Sequence, residues 1–156
     1  MLISVDFDGT CVTHEFPKTG KNIGAEIVLK ALVDEGHNII CMSMRSKEHK
    51  TTIEVDTIQG IKDWFEKHDI KLYAINDNPS QDAWSKSRKI YANTYIDDQF
   101  LGCPLKIDRT YSDRPFVEWM ITSAILQKMG FLSLEKFESI KKELEEKYPE
   151  LYLYQK

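Results

Sequence analysis

Near the start of the chain, a short apolar and partly β-branched run, Leu2-Ile3-Ser4-Val5, leads directly into Asp6-Phe7-Asp8-Gly9-Thr10. The run reads as a buried strand, and the Gly-Thr pair must end it in a loop. Asp6 and Asp8 are two residues apart, so side-chain alternation places both on one face while the strand continues. Two carboxylates at the end of a buried strand are costly unless a cation or phosphate chemistry uses them. In a mostly parallel sheet, ligands gather just outside the carboxyl ends of the strands, which is where these aspartates would lie. A lone Asp-x-Asp is a solvated turn as readily as a site. The full string after a strand is far more specific.

The rest of the chain alternates. Cys11 to Lys21, with Pro17 and Gly20, reads as a loop. Asn22 is a candidate N-cap for a helix from Ile23 to a stop at Gly36. Asn38 to Met42 reads as a second buried strand that ends at Ser43-Met44-Arg45. A Lys- and Thr-rich loop precedes a helix with the stripe Ile58, Ile61, Trp64 and Phe65. Leu72 to Ile75 is a third strand closed by Asn76-Asp77-Asn78-Pro79. A short helix is expected over Ala83 to Lys89, a strand over Thr94 to Ile96, and a last strand over Pro104 to Ile107. This rhythm predicts an α/β fold with right-handed crossovers and a mostly parallel sheet covered on both faces.

The last third differs. Ser112-Asp113-Arg114-Pro115 resembles a helix start with Pro in the first turn, predicting a helix to Met129 with a wide apolar face. Ser133 to Tyr148 predicts another, with Leu134, Phe137, Ile140 and Leu144 on one side. Pro149 ends it and leaves Leu151 to Lys156 as a short tail. This helical hairpin is expected to finish the core or to meet a second copy of the chain, and to supply no catalytic group.

At 156 residues the chain is of single-domain size. Its net charge of −4 and pI near 5.6 make no general case for nucleic acid or an anionic membrane. The three cysteines, Cys11, Cys41 and Cys103, are odd in number and scattered, which suggests reduced thiols. No basic leader or long apolar run precedes Asp6, so the expected location is cytoplasmic.

The polar residues at the strand ends form an ordered set: Asp6 and Asp8, Ser43 and Arg45, Lys89, then Asp97 and Asp98. Taken in that order, they resemble the four motifs of haloacid dehalogenase-like phosphohydrolases. The wording around them, with Ser87-Arg88-Lys89-Ile90-Tyr91-Ala92 and Tyr95-Ile96-Asp97-Asp98, is similar to small capless members of that superfamily. The resemblance covers residues 1–107 as a catalytic core and leaves 108–156 as a helical extension packed on it. It implies a Rossmann-like three-layer αβα sandwich without a large cap.

The resemblance also implies a chemistry. Asp6 would attack phosphorus and form an aspartyl-phosphate, while Asp8 would protonate the leaving oxygen and later accept a proton from water. Mg²⁺ would be held by Asp6, the Asp8 carbonyl, Asp97 and Asp98. Ser43 would hydrogen-bond a phosphoryl oxygen, and Lys89, with Lys86 as its nearby rival, would neutralise charge. Gly9, Ser43, Met44 and Arg45 would border the substrate, although Arg45 serves equally to solvate its loop. His14, Lys18 and Lys21 read as exposed loop residues, and Cys11 as a small packed one.

Other classes fit less well. An EF-hand loop starting at Asp6 would need Gly at position 11 and Glu at position 17, where Cys11 and Pro17 stand. A phospho-acceptor receiver domain places its acidic pair early, whereas here Asp97-Asp98 comes last. The expected activity is that of a Mg²⁺-dependent phosphomonoesterase. The alternative is a non-catalytic phosphate-binding or regulatory protein on the same fold. The substrate class stays open, and the chain is expected to be a monomer or homodimer.

Overall fold

The computed structural model describes residues 1–47 and 56–153. The Lys- and Thr-rich loop before the second helix and the last residues of the tail therefore lie largely outside the described residues.

Four short strands, β1 (Leu2–Val5), β2 (Asn38–Cys41), β3 (Leu72–Ile75) and β4 (Thr94–Ile96), form a parallel sheet in the order β3-β2-β1-β4. The central strand β1 is buried on both faces, with Ile3 and Val5 fully covered and Ser4 nearly so. This explains why it reads as a continuous run rather than an alternating one. The register aligns Val5 with Cys41 and Ile96, and Cys41 with Ile75. All four strands therefore end at one level, and the next residue of each enters a common edge.

Helices α1 (Ala25–Asp34) and α2 (Thr57–Lys67) make the first two crossovers. Asp56 caps α2 by accepting from the backbone N–H groups of Ile58 and Gln59. The fold is α/β, consistent with a Rossmann-like sandwich, and has three further helices: α3 (Trp119–Lys128), α4 (Leu134–Lys147) and α5 (Pro149–Tyr152). No helix among the described residues is long and apolar enough to cross a membrane.

Several local expectations are corrected. Asn22 does not cap α1. Its side-chain oxygen accepts from Trp64 Nε1 at 2.7 Å, tying the loop to α2, and α1 starts after Gly24. Gly24 has a φ of 94°, and a Cβ there would lie 2.4 Å from Leu144 Cδ2, so a close approach of α4 sets that start. The helix expected over Ala83 to Lys89 is only a 3₁₀ turn, Gln81–Ala83. The Gln81 amide group donates to the carbonyls of Ser87 and Lys89 and accepts from Tyr91 N–H, replacing helical bonds with side-chain ones.

The predicted helix from Pro115 is also displaced. Phe116–Val117 is a strand, β6, paired antiparallel with β5 (Leu105–Lys106), and α3 begins only at Trp119, capped by the Glu118 side chain. The β5–β6 pair forms a ribbon of its own instead of joining the parallel sheet. Burial decides this: Phe116, Val117 and Trp119 are fully covered, while Ile121 and Ile125, apolar residues further along α3, are exposed. The tail turns inward too. Leu151 and Tyr152 are buried, and the Tyr152 hydroxyl donates to the Ile23 carbonyl.

Candidate active site

The loop after β1 is a tight turn in which the N–H groups of Thr10, Cys11 and Val12 converge on the Phe7 carbonyl. Gly9 has a φ of 88°, and a Cβ there would lie 2.1 Å from His14 Nε2 and 2.8 Å from Asp98 Cγ. Glycine is therefore required twice, by the left-handed backbone and by the neighbours. Thr10 Oγ1 accepts from Asp98 N–H at 3.1 Å, which fastens the end of β4 to this loop.

Across the sheet edge, Asp6, Asp97 and Asp98 each offer a carboxylate oxygen within 4.8 Å of the others. Asp98 Oδ2 meets His14 Nε2 at 3.0 Å. Asp98 Oδ1 is buried with no hydrogen-bond partner among the described residues. A buried carboxylate oxygen without a partner, on a residue grouped with two further carboxylates, is an expensive arrangement without a cation. Burial, reinforced by the charges of Asp97, Asp98 and Asp8, raises the Asp6 carboxyl to about 7 despite a backbone hydrogen bond that opposes the shift. Three hard oxygen donors of this kind fit a small divalent cation.

Asp8 lines one cavity with Asp6 and is held differently. Arg45 grips it through two 2.7 Å bonds, Nε to Oδ2 and Nη2 to Oδ1. The guanidinium also donates to the carbonyls of Pro17, Lys18 and Thr57. All of the N–H donors an arginine owns are thus occupied. The planar group lies 5.0 Å from the Phe7 ring centroid and 5.4 Å from that of Phe16. Arg45 is only 2% exposed, so it does not solvate its loop, and no donor is left over for a substrate.

Ser43 follows β2 and is fixed by a reciprocal pair with Asn76: its N–H donates to Asn76 Oδ1 at 2.7 Å and its carbonyl accepts from Asn76 Nδ2 at 2.8 Å. Its hydroxyl oxygen accepts from Arg45 N–H at 3.2 Å, and the residue lines the cavity. Met44 beside it is almost fully exposed at the rim. The cavity measures about 230 Å³ and brings together Asp6, Asp8, Ser43, Met44 and Arg45.

Lys89 is not among them. It borders a separate cavity with Trp84, Tyr91 and Tyr95, and its ammonium lies 5.6 Å from the Tyr95 ring centroid. The Gln81 amide on the Lys89 carbonyl and the Tyr95 hydroxyl on the Ile90 carbonyl pin this segment to the Tyr95 side of β4. Two residues passed over in the sequence take part instead. His14 is nearly buried against Asp98 rather than exposed, and Arg114 comes from the segment expected to contribute nothing. Both are distant in sequence from the residues they join, and no local pattern marks them. Lys18 and Lys21 are exposed as expected. Burial pushes the Cys11 and Cys41 thiols well above their ordinary range, in keeping with packed, unreactive sulfur.

No family model matches the chain, and no curated protein sequence matches it. Among solved structures it is similar to a conserved protein from Bacteroides thetaiotaomicron, with 27% identity and a TM-score of 0.58. That likeness covers 100% of this chain and 98% of the other, so it extends over residues 108–156 as well as over the sheet.

Proposed function

We propose that the protein is a small, capless haloacid dehalogenase-like phosphohydrolase that cleaves a phosphomonoester through an aspartyl-phosphate on Asp6. The observation that carries this reading is the convergence of the Asp6, Asp97 and Asp98 carboxylates, together with a buried Asp98 Oδ1 that has no partner among the described residues. A hard dication, with Mg²⁺ the best match, held by these three carboxylates supplies the positive charge that lets an anionic carboxylate approach an anionic phosphate. Asp6 Oδ attacks phosphorus, the P–O ester bond breaks, and Asp8 delivers a proton to the leaving oxygen. Water then attacks the acyl phosphate, Asp8 takes its proton, and phosphate departs with Asp6 regenerated. Ser43, which lines the cavity, would donate its hydroxyl proton to a phosphoryl oxygen during both steps.

A second reading rests on one observation. Both Asp8 oxygens accept from Arg45, so proton delivery requires Asp8 to loosen at least one of those bonds. A regulatory protein that binds phosphate without turnover would leave the pair closed. The two readings separate when the protein is incubated with Mg²⁺ and p-nitrophenyl phosphate. The hydrolase reading expects phosphate release that Asp6→Asn abolishes, by about a thousandfold or more, with circular dichroism unchanged. Equal release from the variant removes Asp6 from the role of nucleophile.

A further inference from the structure

Three basic side chains border the candidate site cavity: His14, Arg45 and Arg114. His14 is paired with Asp98, and Arg45 has every donor engaged by Asp8 and backbone carbonyls. Arg114 is different. Its backbone N–H donates to Ser112 Oγ, and its exposed guanidinium has no hydrogen bond or ion pair among the described residues. We propose that Arg114 is the anion-binding residue of this site and clamps the phosphoryl oxygens that face away from Asp6, Asp97 and Asp98. This assignment rests on the phosphate reading above and gives Arg114 the charge-neutralising task that Lys89, in its separate cavity, is not placed to perform.

The backbone carrying Arg114 is anchored at both ends to the loops that build the site. After it, Val117 N–H donates to the Gly9 carbonyl at 2.8 Å, and Trp119 Nε1 donates to the Thr10 carbonyl at 2.8 Å. Before it, Lys21 Nζ donates to the Tyr111 carbonyl, and the Tyr111 hydroxyl to the Asn22 carbonyl, each at 2.6 Å. Arg114 thus projects from a segment held against the Asp6–Thr10 turn, while its side chain keeps its full set of donors. Arginine suits the task because its planar fork binds two oxygens of a phosphate at once. The electrostatics agree. With Asp8 neutralised by Arg45, no other basic side chain lining the cavity is free to meet the outer charge of a phosphate.

The test uses the full chain with Mg²⁺, and the variants Arg114→Ala, Arg114→Lys and, as a control outside the cavity, Arg109→Ala. Binding of inorganic phosphate is measured by calorimetry, and KM and kcat are measured with p-nitrophenyl phosphate. Arg114→Ala is expected to weaken phosphate binding and raise KM by about tenfold or more, with a smaller change in kcat. Arg114→Lys should fall between Arg114→Ala and the parent protein, and Arg109→Ala should match the parent. Phosphate binding that depends on Arg114 without any turnover supports the clamp and removes the hydrolase reading. Turnover with unchanged KM and unchanged phosphate affinity in Arg114→Ala overturns the clamp and leaves the hydrolase reading standing. A parent protein that binds no phosphate at all overturns the clamp outright.

Discussion

Asp6 and Asp8 are separated by one residue and border the same cavity, yet they sit in opposite environments. Asp6 faces two more carboxylates, one with a bare buried oxygen, and its carboxyl is pushed up to about 7. Asp8 faces a buried arginine that satisfies both of its oxygens. One wall gathers negative charge that a proton or a cation can settle, and the other is closed by the protein itself. A spacing of two residues therefore gives a shared location but not a shared electrostatic role.

The Arg45 wall should yield the largest effect when broken. Arg45→Met leaves Asp8 without its partner and removes the guanidinium donors from the Pro17 and Lys18 carbonyls. Removing one member of a buried pair costs about 3–5 kcal/mol, and urea unfolding with an unchanged m-value would measure it. Arg45→Lys should recover little, since an ammonium cannot reproduce the fork. A loss below about 1 kcal/mol would mean that this wall is not closed in the way the bonds indicate.

The Asp6 wall should respond to pH. Its carboxyl binds a proton more readily in the folded protein than in the unfolded chain, where it titrates near 3.8. The stability this group contributes is therefore complete below about 4 and is lost as pH rises through about 7. In metal-free protein, Asp6→Asn should consequently be stabilising at pH 8, on the order of 1 kcal/mol or more. That gain should shrink as pH falls through 7, and excess Mg²⁺ should reverse the order at pH 8. A stability difference that stays constant across this range would show that Asp6 is not under the strain its neighbours impose.

These two walls were not equally legible in the sequence. The meeting of the acidic residues was legible because these aspartates follow apolar runs, and a parallel sheet in even register must bring strand ends together. The Arg45 wall was not, because Arg45 follows β2 like any loop arginine. Its burial depends on Pro17, Lys18 and Thr57 carbonyls that only the folded chain supplies. The same limit explains the start of the last third. Phe116-Val117 fits an apolar helix face as readily as a strand, and what decides is Val117 N–H finding the Gly9 carbonyl. Lys89 shows the converse: its sequence position matched a motif, while the Gln81 side chain sets where its backbone goes.

His14 carries the smallest effect and probes the acidic wall from its edge. Its Nε2 must donate to be useful to Asp98 Oδ2, and it lies at 3.0 Å from it. Such a contact orients one carboxylate oxygen and leaves Oδ1 for a ligand. His14→Ala should leave the sheet intact, since the strands beneath it are held by their own ladders and core. It should free Asp98 to rotate and weaken divalent-cation binding by about tenfold, read as a higher Mg²⁺ concentration for half-maximal thermal stabilisation. His14→Gln, which keeps a donor, should recover part of that loss. If both variants titrate with Mg²⁺ as the parent does, His14 only fills space above Gly9, and Asp98 is held by Thr10 alone.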